Sequence, residues 1–148
     1  RNLAIRIVDR IEFINKRWVG HLDNVLDKLE NVLKKIESRS QKAGSRGKDV
    51  SQVSDSIKNA KDSIMKARLS VINQAQKVYV VDQSLLPQDT SSASFQDELI
   101  SVLRVQLKLL RDQLWYDLSS LSGNIVKNAR SDVRKSFLLL IEVPDVNR

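Results

Sequence analysis

The chain has 148 residues and a formal net charge of +7, with 41% hydrophobic and 29% charged residues but only four glycines and two prolines. That length suits one domain able to bury a core, and scarce breakers amid Leu, Ile, Val, Lys, Asp and Ser favour long helices over sheets. The absence of cysteine excludes disulfides and thiolate chemistry, and no stretch approaches the ~20 apolar residues of a membrane-spanning helix.

The first element is read from Ile7, Ile11, Ile14, Trp18, Leu22, Val25, Leu29, Val32 and Ile36. Steps of three and four place this set on one face of a helix over residues 2–40. A doubled step of four at Trp18 and Leu22, beside Gly20, is a stutter that relaxes left-handed supercoiling. A helix of this length is not stable through propensity alone and needs a partner along its course.

The segment SQKAGSRGKDVSQ, residues 40–52, carries two glycines among Arg39, Lys42, Arg46 and Lys48. A phosphate-gripping loop would need G-x-x-x-x-G-K-[ST] after a strand. Gly44 and Gly47 are only three apart, and Asp49 follows Lys48. The chemistry is that of a hairpin turn, with Gly47 suited to a left-handed backbone and Asp49 or Ser51 to capping the next helix.

The second helix is expected over residues 50–82 from Val50, Val53, Ile57, Ala60, Ile64, Ala67, Val71, Ala75 and Val78. Alanines in that row let a neighbouring helix approach closely. QSLLPQDTSSAS, residues 83–94, is a linker by composition. Ser94 with Asp97 and Glu98 then opens a third helix over residues 95–142. It is marked by Leu99, Leu103, Leu107, Leu110, Leu114, Leu118, Leu121 and Ile125, with Gly123 as a candidate bend. The expected fold is all-α: a single helical domain forming an elongated antiparallel three-helix bundle, coiled-coil-like in its packing.

If helix two runs back beside helix one, helix three overhangs the Gly44 turn by roughly two to four turns at ~3.6 residues per turn. The overhang would hold Phe137, Leu138, Leu140 and Ile141, apolar all round and unsuited to water. It could fold back near Val50 and Val53. It could dock with another protein or a second copy of the chain, which is the expected use. Membrane-surface contact is the alternative, motivated by Lys127, Arg130, Arg134 and Lys135 just before it. Read along the chain, residues 83–148 are electrically neutral, and the positive excess is thin and centred on Arg39, Lys42, Arg46 and Lys48, not drawn into a stripe.

Chemistry finds little purchase. His21 is the only histidine, so His-based metal clusters and Cys-His sites are excluded. Carboxylate pairs such as Asp23 and Asp27 read as solvated helix surface, and no serine sits in a G-x-S-x-G context. No catalytic residue, cofactor, metal or small-molecule substrate is expected. Trp18 is assigned to the core seam and Trp115 to its edge. Nucleic acid is not an expected partner, because basic residues interleaved with exposed aromatics are not evident.

Residues 22–72 contain Leu29-Glu30, Ile36, Ser38-Arg39 and the run Gly47 to Ser51. In that cadence the stretch resembles a group of uncharacterised bacterial secreted or envelope helical-hairpin proteins. The resemblance implies a secreted or cell-envelope location, usually after a signal peptide, and supplies no activity. A start at Arg1 is what a processed or trimmed chain would show. The functional expectation is a non-enzymatic structural or protein-interaction module. The alternative is a peripheral binder of anionic membrane or nucleic acid through the two basic segments.

Overall fold

The computed structural model describes residues 2–91 and 93–144, with the side chains of residues 5–82, 84–91 and 93–144. Among them every regular element is helical: α1 (Asn2–Ser45), α2 (Ser51–Ala75), a short 3₁₀ turn (Gln83–Leu85), α3 (Phe95–Ser120), a π-helical turn (Leu121–Val126) and α4 (Lys127–Ile141). α1, α2 and the α3–α4 run pack against one another.

Cross-helix bonds fix their register. Arg68 of α2 meets Asp27 and Glu30 of α1, Lys61 meets Glu37, and Gln74 meets Asn15. Numbers that climb along α1 therefore fall along α2. On its other flank α2 meets α4, where the hydroxyls of Ser56 and Ser136 lie 2.9 Å apart and Ser63 bonds to Asp132. Ala60, Ala67 and Ala129 are fully buried at this contact. Removing bulk there lets the helices close up. Ala75, expected in the same row, is exposed because the helix ends at it.

α1 runs to Ser45, five residues past its expected end at 40, and the turn follows. The Arg46 and Lys48 amides donate to α1's last carbonyls, and Gly47 has φ 82°. A side chain there would strain the backbone. Gly44 is close-set for a different reason: a Cβ on it would come within 3.2 Å of Val50. Val50, not Asp49 or Ser51, takes the N-cap position and carries no side-chain cap; Asp49 instead accepts from the Ser51 amide (3.1 Å) and hydroxyl (2.8 Å) in a tight turn just before the helix.

The main departure from expectation lies at the end of α2. It stops at Ala75, not near 82, because Tyr79 leaves the helical path to fill the space among Ile11, Leu114 and Leu118. The Tyr79 hydroxyl accepts from Gln74 (2.9 Å) and donates to Asp117 (2.6 Å). Gln74 in turn is joined to Asn15 through its side chain and carbonyl, and Lys77 pairs with Asp117 at 3.1 Å. Gln106 makes two bonds to the Asp82 backbone. Residues 76–82 thus run as an irregular strap held to α3 by polar anchors and to α1 by the packing of Tyr79 on Ile11.

The strap also removes the overhang. It leads to α3, whose course from Phe95, continued by α4 to Ile141, matches that of α1 from Asn2 to Ser45. Trp18 touches Trp115 part-way along, and at the far end Leu140 and Val143 join Ala43 and Val53 in one cluster. Leu140 is 1% exposed and so is core, not an interaction residue.

The π-helical turn explains how α3 and α4 share one buried face. Buried positions run Leu114, Leu118, Leu121, then Val126, Ala129, Val133, Ser136 and Leu140. The step from 121 to 126 is five residues, which an i→i+5 turn returns to the same side. Gly123, expected as a candidate bend, lies within this π-helical turn, and Val126, not Ile125, takes the innermost position.

Candidate functional site

The arc occupied by α1's charges is the feature that linear reading conceals. At about 100° per residue, Arg6, Arg10, Arg17, Lys28, Lys35, Arg39 and Lys42 share a sector of about 60°. All are exposed. The carboxylates of Asp9, Glu12, Asp23, Asp27, Glu30 and Glu37 occupy a separate sector of about 80°, with Lys16 and Lys34 among them. The acidic side faces α2: Asp27 and Glu30 hold Arg68, and Glu37 holds Lys61. The Arg68 guanidinium, bonded first to Glu30 and then to Asp27, is held above its ordinary pKa.

The basic side of α1 is the flank turned from α2 toward α3–α4, and it meets another basic edge. α3 gives its opposite flank to the strap through Gln106 and Asp117. Its remaining flank presents Arg104, Lys108, Arg111 and Trp115, with Asp97 and Asp112 nearby. α4 gives Asp132 and Ser136 to α2 and turns Lys127, Arg130, Arg134, Phe137 and Ile141 outward beside α1. The fold therefore gathers cations from both ends of the chain onto one flank, contrary to the thin excess read along the sequence. None of these cations is ion-paired among the described residues.

Five of the sequence-derived basic candidates lie on this flank: Arg39, Lys42, Lys127, Arg130 and Arg134. Arg46 is exposed in the turn at its foot, Lys48 is half-buried, and Lys135 projects on the α2 side of α4. The amides of Arg46, Gly47 and Lys48 are spent on carbonyls of Lys42, Ala43 and Gly44, so the turn offers no cradle of open N–H groups. Of the apolar candidates, Phe137, Leu138 and Ile141 are 43%, 44% and 51% exposed, whereas Leu140 is core.

Arg6, Arg10, Arg17, Lys28 and Lys35 on α1, and Arg104, Lys108 and Arg111 on α3, were missed. A signal existed: α1's basic row steps by 4, 7, 11, 7, 4 and 3, all helical-face intervals. Counting charge by segment erased that phase.

Aromatic residues interrupt the flank. Phe13 is exposed between Arg10 and Arg17, and Trp115 is exposed beside Arg111. Trp18 and Trp115 meet edge-on with centroids 6.4 Å apart, and exposed His21 stands edge-on to Trp18 at 5.7 Å. Arg6, Arg10 and Arg17 rim a groove of about 780 Å³ floored by Ile14 and Trp18, with Phe13 and Trp115 on its walls and Asp9 at its edge. A second cavity, about 760 Å³, lies between α1, the strap and α3, among Ile5, Val8, Leu86, Phe95, Leu99 and Leu103.

Among the described residues, no group of three His, Cys, Asp or Glu side chains is placed to hold a metal ion, and no helix is long and apolar enough to cross a membrane. The basic flank instead offers multivalent attraction for anions beside apolar side chains available for burial. Comparison with protein-family models, curated proteins and solved structures finds no match to this chain.

Proposed function

We propose that this protein is a non-enzymatic docking module, an elongated antiparallel three-helix bundle of coiled-coil-like packing whose basic flank engages an extended polyanion. The observation that carries this reading is the separation of charge around α1, with its acidic sector turned toward α2 and its basic sector exposed beside α3–α4. The shared register of α1 and α3–α4 supports the long bundle, because it extends the flank along both. Such a surface binds by releasing counterions, so affinity depends steeply on salt. A secreted or envelope setting, implied by the resemblance of residues 22–72, forms part of the same proposal.

Heparin chromatography tests the flank without assuming a natural partner. The quadruple variant Arg39→Gln, Lys42→Gln, Arg130→Gln and Arg134→Gln is expected to elute at clearly lower salt than the unmodified chain. A control, Lys16→Gln, Lys34→Gln, Lys58→Gln and Lys66→Gln, loses the same charge elsewhere and should shift much less. Equal shifts would reduce the flank to mere net charge.

The apolar trio Phe137, Leu138 and Ile141, exposed together on α4, favours a second reading: protein contact, including self-association. Sedimentation equilibrium of the full chain and a Phe137→Ser, Ile141→Ser variant separates the two. A dimer that persists at high salt and dissociates in the variant would support the second reading.

A further inference from the structure

We infer that the extended polyanion is the surface of an anionic lipid bilayer, with the module lying flat along it. This rests on the reading of the basic flank as a docking surface and names its partner. The first reason is the apolar content of that flank. Phe13, Val32, Trp115, Phe137 and Ile141 are all exposed large side chains set among its cations. A bilayer takes aliphatic and aromatic groups into its headgroup–acyl boundary while its phosphates meet Lys and Arg. Nucleic acid could stack on the aromatics but has no comparable use for Val32 and Ile141.

The second reason is shape. From Arg6 to Lys42 the basic row follows one helix for about 54 Å at about 1.5 Å per residue. A duplex turns once in about 34 Å, so its phosphates wind away from a straight row of that length. A planar anionic surface stays within reach of the whole row. Asp27, Glu30 and Glu37 of the acidic sector are paired with α2 and held off that plane, whereas Asp9 lies at the edge of the arginine-rimmed groove. Cations and apolar groups together also provide the two signals that stable peripheral binding needs.

The groove rimmed by Arg6, Arg10 and Arg17 supplies a reporter. Trp115 on its wall is exposed, and tryptophan settles at the bilayer interface, where one end of its ring is apolar and the other wet.

The test is vesicle co-sedimentation of the full chain with phosphatidylcholine alone and with phosphatidylcholine containing phosphatidylglycerol, at low and high salt. Fluorescence of a Trp18→Phe variant, with Trp115 as the remaining tryptophan, is read in parallel. Binding is expected only to the anionic vesicles, weaker at high salt, with a blue shift of Trp115. Each flank cation removed should lower partitioning about fivefold, so the quadruple variant should lose at least about a hundredfold. Phe13→Ser, Phe137→Ser, Ile141→Ser should weaken vesicle binding about tenfold or more while leaving heparin elution almost unchanged.

Retention on heparin without vesicle binding would overturn the bilayer and leave the basic flank intact. Displacement from anionic vesicles by duplex DNA at equal phosphate concentration would do the same. Failure on both heparin and vesicles would sink the docking surface itself. Equal binding to the neutral vesicles, or an apolar triple variant that partitions like the unmodified chain, would overturn the combined mechanism. Circular dichroism of each variant confirms that its helices are retained.

Discussion

Tyr79 is a large buried residue whose polar end carries two connections at once. It fills the space beside Ile11, Leu114 and Leu118, while its hydroxyl links Gln74 to Asp117. Burial first, then the hydrogen bond to Asp117, raises its pKa to about 12. Burial also acts to raise the Asp117 carboxyl, but bonds from Tyr79 and Lys77 and the Lys77 charge outweigh it and leave that group below its ordinary value. The signs give two limits. Stability from Asp117 is present above its unfolded pKa near 3.8 and is lost as pH falls through the lower folded value. Stability from Tyr79 is present below about pH 10 and is lost as pH rises toward about 12. Tyr79→Phe should cost about 1–3 kcal/mol, since it leaves Gln74 and Asp117 short of a partner, and should flatten the alkaline limb. Urea titrations from acid to strongly alkaline pH check both. An alkaline limb unchanged in the variant would show that another group titrates there.

At the scale of elements, the five-residue step at Leu121 to Val126 is the phase correction that keeps α4 in the core. A π-helical turn amounts to one extra residue within an α-helix. Deleting Gly123 should therefore turn the step into an ordinary four, keep Val126 and everything after it on the same face, and raise the melting temperature or leave it level. Loss of helical signal on deletion would show that the wide turn is itself required. The long periodic elements were legible because threes and fours persist over many turns; α1 is the clear case. The end of α2 was not, because Val78, Val80 and Val81 continue an apolar run that looks locally like helix. Only the long-range partners of Tyr79 and Gln74 reveal that the chain turns off at Ala75. That early exit decided the fate of Leu140, since an overhang was inferred from a second helix several residues too long. For the basic flank, the linear pattern supplied Arg39, Lys42, Lys127, Arg130 and Arg134. Their union with Arg6 to Lys35 and the α3 cations depends on which helix lies on each side of α1.

Across the whole molecule, the third position in the cross-section is filled in two ways. Beside the Gly44 turn it is held by α2, with Ala60 and Ala67 closed against α1 and α4 in the larger hydrophobic cluster. Toward the start of α1 it is held by the strap, over the smaller cluster around Ile11, Tyr79, Leu114 and Leu118. Burial and helical bonding are thus unequal along the length, and local opening follows such inequality. Hydrogen exchange should find slow amides in α2, α4 and the second half of α1, and faster ones in the strap and the first turns of α3. Uniform protection would contradict that division. The strap consequently divides this protein into a firm half and a yielding half, and opening is expected to begin at the yielding end. A pull applied there would peel α3 from α1 turn by turn, whereas the hairpin end would hold until the whole fold gave way.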